Sequence, residues 1–122
     1  EGNMWNVSIN SLVMAGEAAA TLYAYDRQGV LRKKSEVRIA REGMGKHKSE
    51  LAVILKALRE IRFPCRVTLK PTQPAITDAI AQGWAAGWRK RGWKTASGKT
   101  PREPELWEEI LEELDKHEVK AE

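Results

Sequence analysis

Residues 84–107 read WAAGWRKRGWKTASGKTPREPELW and hold four of the chain's five tryptophans. From Trp84 to Arg102 they carry six Lys or Arg and no Asp or Glu. Two physical readings compete. Cations neutralise phosphates and release counterions, and an indole stacks on a sugar or base, so the segment suits nucleic acid. Alternatively, Trp84, Trp93 and Trp107 pack against each other as a small core beneath an excursion of the chain. On that reading Arg89 to Arg91 form a solubilising turn or pair with an acidic helix. Trp88 is open to contact or packing.

Working outward, Pro104 suits the first turn of a helix. Leu106, Trp107, Ile110, Leu111 and Leu114 give that helix an apolar stripe. Glu105, Glu108, Glu109, Glu112 and Glu113 form its acidic face, read as solvated. Val119 to Glu122 is read as the start of a last strand. Upstream, the chain is helical from Ala75, with Ile76, Ala79 and Ile80 at helical spacing and Gly83 and Gly87 weakening or dividing it. Before that lies a short apolar strand, Arg66 to Lys70, stopped by Pro71 and Pro74.

The N-terminal half changes period. Trp5 to Ser11 alternates, with Trp5, Val7 and Ile9 on one face and Asn6, Ser8 and Asn10 on the other. Gly16-Glu17 breaks the pattern, and Thr21 to Tyr25 reads as a second strand. Asp26-Arg27-Gln28-Gly29 has hairpin chemistry, and Val30 to Ala40 is a third strand. After Gly43-Met44-Gly45, a flexible connection, residues 48–61 carry Leu51, Ile54, Leu55, Leu58 and Ile61 at helical spacing, ended by Pro64. The order β-β-β-α-β-α-α-β implies an α/β fold in which helices flank one mixed five-stranded sheet.

The 122 residues, 42% apolar, fit one domain at 4–122. Glu1, Gly2 and Asn3 before Met4 read as an expression remnant. The net charge of +4 and pI near 9.3 are mildly basic and point weakly to a polyanionic partner. The single cysteine, Cys65, rules out an internal disulfide and reads as a buried, inert thiol in a reducing, cytoplasmic compartment. No run is long and apolar enough for a membrane span, so no membrane partner is expected. His47 and His117 lack partners at metal-ligand spacing and are expected at the surface. There is no Gly-rich phosphate loop, nucleophile elbow or zinc pattern.

The order of elements and the opening stretch together resemble the ribonuclease H family. Its bacterial pattern around a basic protrusion, or handle, is W-K-K-R-G-W-K-T, a polar loop, then an N-x-x-L-W helix start. Here the matching pieces are Trp88-Arg89-Lys90-Arg91-Gly92-Trp93-Lys94-Thr95 and Glu103-Pro104-Glu105-Leu106-Trp107. The resemblance extends less strongly over residues 4 to 120.

It implies cleavage of the RNA strand of RNA–DNA hybrids, using two metal ions held by four acids. The first acid's place, in a T-D-G-S-type strand motif, falls on Asn10. The second, in an N-x-x-E-L-type helix motif, is kept as Glu50. The third, at the end of the fourth strand, falls on Thr72, give or take one residue. The fourth lies beyond Glu122. Glu50 alone cannot hold two ions, so no catalytic residue and no cofactor are expected, with Mg²⁺ or Mn²⁺ relevant only if a site is rebuilt. The family's handle grips nucleic acid, which implies that role for Trp88, Arg89, Lys90, Arg91, Lys94 and Lys99.

Three functions stay open. The chain is a catalytically inactive nucleic-acid-binding module for hybrid or duplex. Or it is a protein-interaction or oligomerisation scaffold, using apolar surface on a sheet uncovered by the family's last helix. Or it is an active ribonuclease H with acids supplied otherwise.

Overall fold

The computed structural model describes residues 4–122; the expected remnant, residues 1–3, lies outside the described residues. Strand β1 spans Asn6–Val13, β2 Glu17–Tyr25 and β3 Leu31–Ala40. Helix α1 spans Lys46–Leu58 and β4 Arg66–Lys70, followed by α2 at Pro74–Ala81 and α3 at Trp84–Lys90. Helix α4, Pro104–Leu114, leads to β5, Glu118–Ala121. The five strands form one mixed sheet in the order β3-β2-β1-β4-β5. β1 and β3 run antiparallel to β2, while β4 runs parallel to both β1 and β5. The expected element order and α/β architecture are both present.

Local chemistry explains the joints. The Asp26 carboxylate accepts from the amides of Gln28 at 2.9 Å and Val30 at 3.0 Å, and Arg32 Nε at 2.6 Å fixes its second oxygen. Gly29, at φ 84°, takes the left-handed position of that turn. Gly83, at φ 76°, separates α2 from α3, whereas Gly87 lies inside α3 with the Arg91 guanidinium 3.4 Å from where a Cβ would sit.

Two boundaries differ from the sequence reading. β2 begins at Glu17 rather than Thr21, because Ala18, Ala19 and Ala20 pair with Val13, Leu12 and Ser11. Alanine has little strand preference of its own, and here the ladder overrides it. α1 spans 46–58 rather than 48–61, and Ile61 sits in the tight turn that follows, its N–H bonded to Leu58 O at 3.1 Å.

The core lies between one face of the sheet and the helices. Leu51, Ile54, Leu55 and Leu58 of α1 are buried as the periodicity requires. Val53 and Ala57 are buried too, because α1 is covered on its other side by α4, through Trp107, Ile110, Leu111 and Leu114. Fully burying such a side chain is worth about 1.5–3 kcal/mol.

The opposite face of the sheet is polar. One row across it runs Lys34, Tyr23, Ser8, Thr68, Lys120. Asn10 and Thr21 are paired in the next row. The large apolar side chains exposed on that face are Leu12, at 43%, and Leu31, which pairs with Tyr25, at 47%.

Candidate functional site

Glu50 sits in the second turn of α1 and is fully buried. Its carboxylate is surrounded by neutral donors. Ser11 Oγ of β1 donates to Oε2 at 2.6 Å. The Thr72 amide donates to Oε2 at 2.8 Å, and the Thr72 hydroxyl lies 3.1 Å from both oxygens. Gln73 Nε2 donates to Oε1 at 2.8 Å and also to Lys46 O at 3.0 Å. The network ties the start of α1 to the end of β1 and to the β4–α2 connection.

The topology explains the convergence. β1 and β4 are parallel neighbours, so Ser11 and Thr72 both follow the paired segment Asn6–Asn10 with Arg66–Lys70. Ligand sites of open α/β sheets lie beyond the carboxyl ends of such strands.

The structure corrects one position. The β1 side chain that meets Glu50 is Ser11, not Asn10, which is exposed on the other face. A slip of one residue turns a side chain to the opposite face of a sheet. The alternation of Val7 and Ile9, carried one step further, reaches Ser11. Gln73 carried no comparable signal, since its role depends on a turn.

A pair of divalent metal ions does not fit these residues. Hard cations need several oxygen ligands, chiefly carboxylates, and paired ions sit about 3.5–4 Å apart. Among the described residues a single carboxylate is present here, and both its oxygens already accept hydrogen bonds from hydroxyl and amide donors. Among the described residues no cluster of three or more His, Cys, Asp or Glu can hold a metal.

The basic segment folds over α4. Trp107 is fully buried and meets Trp88 edge to face, with ring centroids 6.1 Å apart. Trp93 is half-buried and donates Nε1–H to Glu108 Oε1 at 3.0 Å. Trp84 is 48% exposed. The small core is thus built from Trp88, Trp93 and Trp107; Trp84, expected to pack, is exposed, and Trp88, left open by the sequence, packs. Helical direction decides this: Trp88 falls on the α3 face that meets α4, and Trp84, four residues earlier, lies beyond the contact.

The cations differ in availability. Arg89 forms a two-pronged pair with Asp115, at 2.9 and 3.3 Å. That carboxylate raises the arginine's already high pKa, against the opposing effect of burial. Arg91 Nε donates to Lys94 O at 3.1 Å, closing the turn in which Trp93 holds a left-handed φ of 66°. Lys90, Lys94 and Lys99 are exposed.

A cleft of about 490 Å³ lies beside these elements. Lys46, His47 and Lys48 line it from the first turn of α1, and Arg102 and Glu103 line it from the entrance to α4. It therefore adjoins both the helix that carries Glu50 and the basic loop. His47 is half-buried, not a surface residue as expected; burial and then the charge of Arg102 lower its pKa. His117 is also half-buried and accepts the Cys65 amide on Nδ1 at 3.1 Å. Cys65 is a buried free thiol whose pKa is raised by burial.

No family profile matches the chain. Among curated proteins, it is 38% identical over 73 residues to Ribonuclease H of Nitratidesulfovibrio vulgaris, covering 60% of this chain and 47% of that one. To Ribonuclease H of Thermus thermophilus it is 36% identical over 74 residues, covering 61% and 45%. To that of Clostridium botulinum it is 36% identical over 87 residues, covering 71% and 58%. The chain spans about half the length of the curated relatives it matches.

Solved structures support the fold. LC9-RNase H1, described as a type 1 RNase H with the type 2 active-site motif, superposes with a TM-score of 0.68 at 18% identity, covering 96% of this chain and 60% of that one. RNase H1 of Halobacterium salinarum gives 0.58 at 14% identity, covering 96% and 81%. A foamy viral protease–reverse transcriptase in complex with dsDNA gives 0.70 at 10% identity, covering 98% and 81%.

Proposed function

The chain belongs to the ribonuclease H family, and on that premise we propose that it is a single nucleic-acid-binding domain that holds an RNA–DNA hybrid or duplex without cutting it. The observation that carries this reading is the Glu50 carboxylate, satisfied by Ser11, Thr72 and Gln73 with no second carboxylate beside it among the described residues. A metal-dependent cut needs ligands that these side chains do not supply.

Binding is assigned to the basic α3–α4 excursion and the adjoining cleft. Lys90, Lys94 and Lys99 are the exposed phosphate contacts, with Lys46, Lys48 and Arg102 continuing the path toward α1. Arg91 shapes the turn as well as adding charge. Arg89 contributes less, because Asp115 already neutralises it. Trp88 is a packing residue that holds α3 on α4, and the exposed Trp84 is the better candidate for a stacking contact. The buried Cys65 suits a reducing compartment, and we place the protein in the cytoplasm. No described helix is long and apolar enough to cross a membrane.

The test pairs an end-labelled RNA–DNA hybrid with Mg²⁺ or Mn²⁺. We expect salt-sensitive binding and intact RNA. Cleavage that disappears in Glu50→Gln would overturn the proposal.

A further inference from the structure

At the other end of β1 and β4 from Glu50, the sheet and the α1–β4 connection enclose a second cleft of about 160 Å³. Its walls are apolar, formed chiefly by Trp5, Leu22, Ala24 and Phe63. Trp5 and Phe63 meet edge to face, with ring centroids 5.7 Å apart, yet Phe63 remains 49% exposed. Lys33 from β3 and Arg62 from the α1–β4 connection stand at the rim. Both are exposed, and neither has an ion-pair partner among the described residues. Glu60 is the one acid among the described lining residues.

We propose that this cleft docks an acidic peptide segment of a partner protein, taking one aromatic or leucine side chain between Trp5 and Phe63 while neighbouring carboxylates pair with Lys33 and Arg62. Size sets the anchor: a cavity of about 150 Å³ lined by apolar side chains holds one benzene ring. Charge sets its surroundings, because cations beside an apolar pocket favour a ligand with acids flanking its anchor. A nucleic-acid backbone fits poorly, since the walls offer little to hydrogen-bond and only the rim is cationic. The position adds a physical argument. The cleft and the Glu50 end lie at opposite ends of the same strands, so a partner held here leaves the cleft lined by Lys46, Lys48 and Arg102 clear.

The proposal goes beyond nucleic-acid binding and is tested separately from it. Fluorescence anisotropy would follow a labelled, blocked peptide, Glu-Asp-Glu-Phe-Asp-Glu, added to the whole chain. Two control peptides replace Phe by Ala, or all acids by Lys. We expect the acidic Phe peptide to bind, the Ala peptide to bind at least ten-fold more weakly, and the Lys peptide not to bind. Lys33→Glu and Arg62→Glu change exposed side chains and should each weaken binding several-fold, leaving hybrid affinity within two-fold. Equal binding of the Phe and Ala peptides, no binding of either, or indifference to both charge reversals overturns the proposal. So does self-association by sedimentation that Arg62→Glu abolishes, because the cleft would then hold a second copy. Hybrid binding that fails while the peptide still docks counts against the nucleic-acid reading alone.

Discussion

The Ser11 hydroxyl donates to Glu50 Oε2 at 2.6 Å, joining the end of β1 to the second turn of α1 across 39 positions of sequence. With Thr72 and Gln73 it makes a closed polar cluster. Inside a protein such a cluster is costly to open, because each donor left without its acceptor carries its full desolvation penalty. Glu50→Ala should lower stability by about 3 kcal/mol on that basis, with Glu50→Gln costing about half as much. Urea denaturation with unchanged m-values would check both. A neutral Glu50→Ala would mean that the cluster does not hold α1.

Adding carboxylates should change the cluster's response to metal. In the Ser11→Asp/Thr72→Asp double variant, three carboxylates would converge where one stands now. We expect a lower melting temperature without divalent ions, from mutual repulsion, and a marked rise with Mn²⁺. At 100 times the dissociation constant the gain is about 2.7 kcal/mol. The unaltered chain should show almost no Mn²⁺ dependence. A comparable rise there would reveal a metal site not formed by these residues.

Arg89 is held by Asp115 at 2.9 Å. Releasing it should strengthen hybrid binding. Asp115→Asn should increase affinity by roughly two- to five-fold and steepen the salt dependence by about one released counterion. Stability should fall by no more than about 1 kcal/mol, as usual for an exposed pair. The triple change Lys90→Glu, Lys94→Glu and Lys99→Glu should act the other way on affinity. Titrations at several salt concentrations separate the two effects.

Burial lowers the His117 pKa below its ordinary value of 6.5, with Glu113 opposing and Lys116 assisting. Its Nδ1 also accepts the Cys65 amide, which requires a neutral ring protonated on Nε2. The unfolded chain then binds a proton at higher pH than the folded one. This contribution to stability is present above about pH 6.5 and is lost as pH falls through the lower folded value. His117→Gln should flatten stability against pH in that window. An unchanged slope would assign the dependence to another group, His47 being the first to examine.

Trp107 is fully buried against Trp88 and within reach of α1. Trp107→Ala should cost about 3–5 kcal/mol. Trp88→Ala should cost less but loosen α3, seen as faster amide exchange across residues 84–93. If exchange there is unchanged, α3 is held by other contacts.

Much of the architecture was legible because hydrophobic period reports which face is buried. The alternation of Val7 and Ile9 and the spacing of Leu51, Ile54, Leu55 and Leu58 each correspond to an observed inner face. Ala18 to Ala20 gave no such signal, because three alanines carry neither period nor preference, and β1 decides their conformation. The candidate site was half legible. Glu50 and Thr72 were found, but Asn10 stood in for Ser11 because a motif alignment does not fix which face a strand residue occupies. The tryptophans were harder still. Which indole is buried depends on how α3 docks on α4, which spacing along α3 alone does not determine.

The polar row on the far side of the sheet makes substitution tolerance alternate along β1. Positions 6, 8 and 10 face outward and should accept most residues in a saturation library, whereas positions 7, 9 and 11 should accept very few. Such a two-residue rhythm, scored by cell-survival or display selection, would read the orientation of the strand directly from genetic data. It would also locate Ser11 on the intolerant side, in company with Glu50.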